Sequence, residues 1–143
     1  RGMDELCIDG VPMAGMDLNL QPRARVVAMS NVCSDEMLAL TGGIDAAAAV
    51  LKKAGMCPSD IDLVEFNEAF ASTSVKFLRE AGWHSDQVNV NGGAISIGHA
   101  MGATGASLLG IVLDELESRD LSAGLVALSG AAGIGTATII ERV

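Results

Sequence analysis

Residues 61–81 read IDLVEFNEAFASTSVKFLREA, and the passage from strand to helix inside this stretch decides the fold. The run 61–66 is short and rich in apolar residues, which suits a buried strand. Residues 69–81 are predicted to form a helix, closed by Gly82. The same alternation continues in both directions. Upstream, 44–54 (IDAAAAVLKKA) is an alanine-rich helix with Lys52 and Lys53 in its last turn and Gly55 as its stop. Before it, 25–30 (RVVAMS) is a β-branched strand. Downstream, 87–90 reads as a short strand that enters a glycine-rich segment. A long helix follows over roughly 101–118, with Leu108, Leu109, Val112 and Leu116 on one side. Strands at 124–128 and 136–141 close the chain, joined as a hairpin through the turn 130–135.

The expected order is therefore βαβαβαββ, an α/β fold. Strands alternating with helices imply a mainly parallel sheet of five strands, made mixed by the last hairpin and covered by helices on both faces. The final hairpin is expected to place an antiparallel strand at one side. Residues 1–20 mix Gly, Pro, Met and Asp without a period and read as an irregular lead-in or linker, so the domain is placed at 21–143.

Composition narrows the function classes. A chain of 143 residues, half of them hydrophobic, can bury one core and not two ordinary ones. Nine basic residues against eighteen acidic ones give a net charge of -9, and the basic residues are scattered. Nucleic-acid binding needs grouped Lys or Arg to neutralise phosphates, so it is not expected. By the same deficit, a phosphate-bearing cofactor would have to draw most of its phosphate contacts from elsewhere. No apolar stretch is long enough to span a bilayer, and no leader pattern opens the chain, which reads as a cytoplasmic protein. Cys7, Cys33 and Cys57 show no paired spacing, so neither a metal site nor a disulfide framework is expected.

Three loops leave the carboxyl ends of predicted strands, where open α/β sheets gather their chemistry. They are 67–71 (NEAFA), 91–105 and 129–131 (SGA). The glycines of the second loop allow close backbone approach, and His99 reads either as a general base or oxyanion donor, or as a histidine capping the following helix. Asn67 and Glu68 have the residue types of a helix cap and a first helical turn. Ser129 has the type of a turn residue.

Taken together, NEAFA at 67–71, NVNGGAISIGHAMGATGA at 89–106 and LSGAAGIGTATIIE at 128–141 resemble the carboxy-terminal motifs of the thiolases, in the family's order. QPRARVVA at 21–28 resembles the start of that domain, so the likeness runs from about Gln21 to Val143. It implies acyl-CoA chemistry within lipid metabolism and fatty acid β-oxidation: condensation of two thioesters, or thiolytic cleavage of a 3-ketoacyl-CoA. It implies no resident cofactor, with coenzyme A thioesters as substrates. The histidine of the GH motif, His99, would activate a nucleophilic cysteine and help bind a thioester oxygen. Asn67 would hold a water in the same oxyanion hole. Each such donor is worth roughly 3 kcal/mol. The backbone of Ala131 and of Gly98 would belong to the oxyanion-binding surface.

The sequence departs from the family at telling places. The family's acid–base cysteine falls at Ser129, and a hydroxyl is a far weaker acid than a thiol of pKa about 8.5. Ala131 takes the place of a glycine, and Ala100 that of a proline. The nucleophilic cysteine belongs to the family's amino-terminal half. The segment Asn31-Val32-Cys33-Ser34 resembles its motif only superficially, lacks the glycine that follows, and sits after the first strand of this half. The resemblance therefore implies a partner half, in the same or another chain, and a homo- or hetero-oligomer. A second reading is a catalytically impaired, thiolase-like subunit that binds acyl-CoA or steadies a partner. A β-ketoacyl synthase relative is disfavoured by NEAFA, since synthases carry a histidine there.

Overall fold

The computed structural model describes residues 22–35, 37 and 40–143, and of the first 21 residues the backbone of Cys7–Ile8 (β1) and Val11–Pro12 (β2), which pair antiparallel. The remainder of the predicted lead-in, and Gln21 at the predicted domain start, lie outside the described residues. The elements that follow are β3 (Ala24–Cys33), α1 (Gly42–Ala54), β4 (Leu63–Phe66), α2 (Ala71–Glu80), α3 (Ala94–Ile97), α4 (Thr104–Ser118), β5 (Ala123–Ser129) and β6 (Ile134–Arg142). Among the described residues no helix is long and apolar enough to cross a membrane.

The expected α/β architecture with a mixed sheet is present, but among the described residues the main sheet has four strands, ordered β3-β6-β5-β4. Two expectations are corrected here. The sheet is not mainly parallel: β6 runs antiparallel to both β3 and β5, and only β4 and β5 are parallel neighbours. The last strand is not at one side either; it lies between β3 and β5.

The predicted strand 87–90 forms no full ladder. Val64 donates its N–H to Gln87 O and accepts from Asn89 N–H, both at 2.9 Å, which makes a single parallel bridge opposite Val88. At Asn89 the backbone turns into the left-handed region, with φ 50°. Its side-chain amide then takes the place of a backbone: Oδ1 accepts the Phe66 N–H at 2.8 Å, and Nδ2 donates to Phe66 O at 2.9 Å. Asparagine tolerates this conformation better than most residues. A side chain, not a strand, thus satisfies the end of β4.

α1 forms where its alanine run predicts and ends as the glycine stop requires. Gly55 takes φ 70°, and Met56 N–H reaches back to Leu51 O at 3.0 Å, closing a Schellman turn. Ala46, Ala47, Val50 and Leu51 pack on one face of the sheet, against Ala28, Leu125, Ala127, Ala137 and Ile139. Small residues on both surfaces let helix and sheet approach closely. α4 covers the opposite face with Leu108, Val112 and Leu116, spaced four apart, on Leu63, Val126 and Ile140. α2 joins the α1 side through Phe77, whose ring stacks on Phe66 at 4.2 Å and on Trp83 at 5.6 Å between centroids.

Candidate active site

β4 and β5 run parallel, so the loops after them leave from the same end of the sheet. Phe66 pairs with Ala127, and Asn67 continues the ladder by donating its N–H to Ala127 O at 2.9 Å. Asn67 is therefore buried, 2 % exposed, and not a helix cap, since α2 begins at Ala71 with Phe70 at its cap position. Its side-chain Oδ1 is buried without a protein partner. A buried amide oxygen in that state costs free energy that a purely structural residue would not retain without reason.

Glu68 is not a first-turn residue either. Its carboxylate reaches across to the second loop, accepting from Asn89 Nδ2 at 3.0 Å and from Ile95 N–H at 3.1 Å. Gly93 makes this possible, because a Cβ there would overlap the Glu68 carboxylate. The NEAFA loop and the glycine-rich loop are thereby tied into one unit.

The glycine-rich loop contains α3, a single turn that the sequence did not signal. Gly98 ends it with φ 92° and donates its N–H to Ala94 O at 2.9 Å. That N–H is engaged within the loop, and Gly98 contributes chiefly a change of chain direction ahead of His99. His99 lies between α3 and α4, exposed, on the wall of a cavity of about 450 Å³ shared with Ile97, Gly98, Thr104, Ser107 and Leu108. Its Nδ1 lies 2.8 Å from Thr104 Oγ1. Ser129 stands at the end of β5, where its Oγ accepts the Gly43 N–H of the first turn of α1 at 2.8 Å. Ala131 follows, exposed, at the start of the turn 131–133. Among the described residues no hydrogen bond joins His99, Asn67 and Ser129 to one another. Cys33 closes β3 opposite Ile134, and Cys57 sits in the turn before β4, where its thiol donates to Asp60 Oδ2 at 3.0 Å.

Glu65 lies within the run 61–66, whose apolar character alone predicts a buried strand and no functional group. Its side chain is 2 % exposed, and Oε2 has no partner. Burial first, then the Glu68 and Glu115 carboxylates, push its pKa up to about 7. The visible signal was a carboxylate at an inward position between Val64 and Phe66. The folded chain holds this proton more tightly than the unfolded chain, whose carboxyl titrates near 4.5. Stability from this group is full below about pH 4.5 and lost as pH rises through about 7. Glu65→Gln is therefore expected to leave urea stability unchanged near pH 4 and to raise it near pH 8 by on the order of 3 kcal/mol. An equal effect at both pH values would show that Glu65 is not held protonated.

Comparisons with known proteins bear on the family and the fold. The family profile described as "Thiolase, C-terminal domain" matches residues 20–142. An acetyl-CoA acetyltransferase of Thiocystis violacea is 48 % identical over 126 residues, which are 88 % of this chain and 32 % of that protein. A 3-ketoacyl-CoA thiolase of Pseudoalteromonas atlantica is 40 % identical over 129 residues, 88 % of this chain and 33 % of the other. The crystal structure of the Bacillus anthracis acetyl-CoA acetyltransferase superposes with a TM-score of 0.81 at 36 % identity, over 87 % of this chain and 32 % of that one. The chain thus spans about a third of the length of these relatives. On the profile match, the sequence motifs and the fold, the chain belongs to the thiolase family, to which it contributes the C-terminal domain.

Proposed function

We propose that the chain is the carboxy-terminal half of a thiolase-type acyl-CoA acyltransferase, catalysing thioester Claisen condensation or thiolytic cleavage of a 3-ketoacyl-CoA. The observation that carries the reading is the union, through Glu68, of the loop holding Asn67 with the loop holding His99, beside the end of β5 where Ser129 stands. His99 would take the proton of a nucleophilic thiol. The unpartnered Oδ1 of Asn67 would hold a water by accepting its hydrogen bond, and that water would donate to the thioester oxygen. Backbone at Gly98 and Ala131 would shape the oxyanion-binding surface. Coenzyme A thioesters are substrates here, and no resident cofactor is called for.

The nucleophile would come from an amino-terminal half, in the same or another chain, within a homo- or hetero-oligomer located in the cytoplasm. Four large apolar side chains stand exposed on the two joined loops and the turn after His99: Phe70 (60 %), Ile95 (65 %), Ile97 (61 %) and Met101 (84 %). A patch of that kind around a site fits a surface that an adjoining half covers. The second reading, an impaired subunit that binds acyl-CoA or steadies a partner, draws its support from Ser129 and Ala131.

Co-expression with the amino-terminal half of the Thiocystis violacea acetyl-CoA acetyltransferase tests both readings. The expected result is co-purification and thiolysis of acetoacetyl-CoA, with neither half active alone. Acyl-CoA binding by the complex without turnover would favour the impaired subunit. Failure of the halves to associate would sink the claim that the exposed loops meet such a half.

A further inference from the structure

Thr104 opens α4 and is 6 % exposed. Its Oγ1 lies 2.8 Å from Nδ1 of His99 and 2.9 Å from the carbonyl oxygen of Ala100. A hydroxyl carries one proton, and a carbonyl oxygen carries none to give. Both contacts can be hydrogen bonds at once only if the Thr104 proton goes to Ala100 and Oγ1 accepts from a protonated Nδ1; a hydroxyl turned to donate to Nδ1 would give up the bond to the carbonyl. The carbonyl is itself fixed, since it also accepts the Ala103 and Thr104 N–H groups, each at 2.8 Å. The whole arrangement is held by the first turn of a helix.

We propose that Thr104 is a positioning residue that holds neutral His99 as its Nδ1–H tautomer, leaving the lone pair on Nε2. Which nitrogen of a histidine carries the proton is set by the hydrogen bond that the other makes. The consequence for catalysis rests on the function proposed above; the tautomer does not. In this state His99 can accept a proton at Nε2 and cannot donate one there. Meeting a thiol, Nε2 takes the proton as the S–H bond breaks, and the electron pair stays on sulfur. The products are a thiolate and an imidazolium with both nitrogens protonated. Only then does Nε2–H become a donor for a thioester oxygen. Thr104 thereby sets an order on the two duties of His99: base first, oxyanion donor second.

The test is nitrogen-15 NMR of this chain as it stands, at a pH where the imidazoles are neutral. The chain has two histidines, so His84 serves as an internal reference. For His99 a protonated-type shift at Nδ1 and an unprotonated-type shift at Nε2 are expected. Thr104→Val should move both toward the Nε2–H pattern of free imidazole, and Thr104→Ser should restore the wild-type pattern, with His84 unmoved throughout. If Thr104→Val does not fold, the wild-type and Thr104→Ser spectra still decide. A wild-type His99 protonated at Nε2 overturns the proposal, as does a Thr104→Val spectrum identical to wild type. The measurement needs neither partner nor substrate, so its failure is separate from any failure of acyl transfer.

Discussion

Ser129→Cys, with an amino-terminal half supplying the nucleophile, is expected to raise thiolysis of acetoacetyl-CoA by roughly 10²–10⁴-fold, the usual range for a positioned acid–base group. Ser129 Oγ accepts a hydrogen bond from Gly43 N–H, in the first turn of α1. A sulfur in the same place would meet that donor and the positive end of the helix. Both favour thiolate over thiol, so the introduced group should titrate below the ordinary value of about 8.5. Serine in the same field stays protonated near neutral pH, because its hydroxyl is a far weaker acid. The rate of thiol alkylation against pH gives the titration directly, in a background where Cys7, Cys33 and Cys57 are serine. A midpoint at or above 8.5 would mean that the helix does not act on position 129. An unchanged turnover would mean that position 129 is not where the acid–base step occurs.

Phe77→Ala is expected to destabilise the domain by about 3–5 kcal/mol. That is a large part of the 5–15 kcal/mol that holds a typical domain folded. Phe77 is fully buried and stands in the middle of a stack, inclined by 18° to Phe66 and by 16° to Trp83. It is the main anchor of α2, in which only Thr73 and Phe77 are buried. Phe66 is the residue before Asn67, so the cavity would open directly beneath the NEAFA loop. Urea unfolding followed by the fluorescence of Trp83, the chain's one tryptophan, measures the loss. Phe77→Leu should cost clearly less, because a smaller cavity remains. A loss under about 1 kcal/mol for alanine would show that α2 is held by something other than this stack.

Some of this structure was legible from the chain and some was not, for physical reasons. α1 announced itself through its alanines, its terminal lysines and Gly55, all of which act within one or two turns. The stripe Leu108, Val112, Leu116 gave α4 its buried face in the same local way. Strand order is different, because an apolar run specifies burial and not which neighbour it pairs with or in which direction. Hence β6 was placed at a side of the sheet although it is internal. Segment 87–90 reads as a strand because nothing local shows that the Asn89 side chain completes the edge of β4. The same blindness to distant contacts made Asn67 and Glu68 look like caps. Their partners, Ala127, Asn89 and Ile95, lie 20 or more positions away. The three candidate loops stand out in the sequence through their expected place after strands and through family likeness, and the fold ties the first two together through Glu68. Glu65 and Thr104 were not singled out, since each acts through a contact that only the fold creates.

The internal place of β6 governs how the chain is made. Among the described residues β3 pairs with β6 alone, and Arg25 meets Glu141, 116 positions later in the sequence. At about 5–20 residues per second, a ribosome releases β3 roughly 6–23 s before this partner exists. Throughout that interval the backbone groups of β3 have no ladder to join, and Val26, Val27 and Met29 lie along an open strand. Even in the finished domain these three remain exposed. The nascent chain therefore passes through a stage suited to chaperone capture and prone to edge-to-edge association. Synthesis of the last nine-residue strand, not collapse around the helices, sets the moment at which the sheet can close.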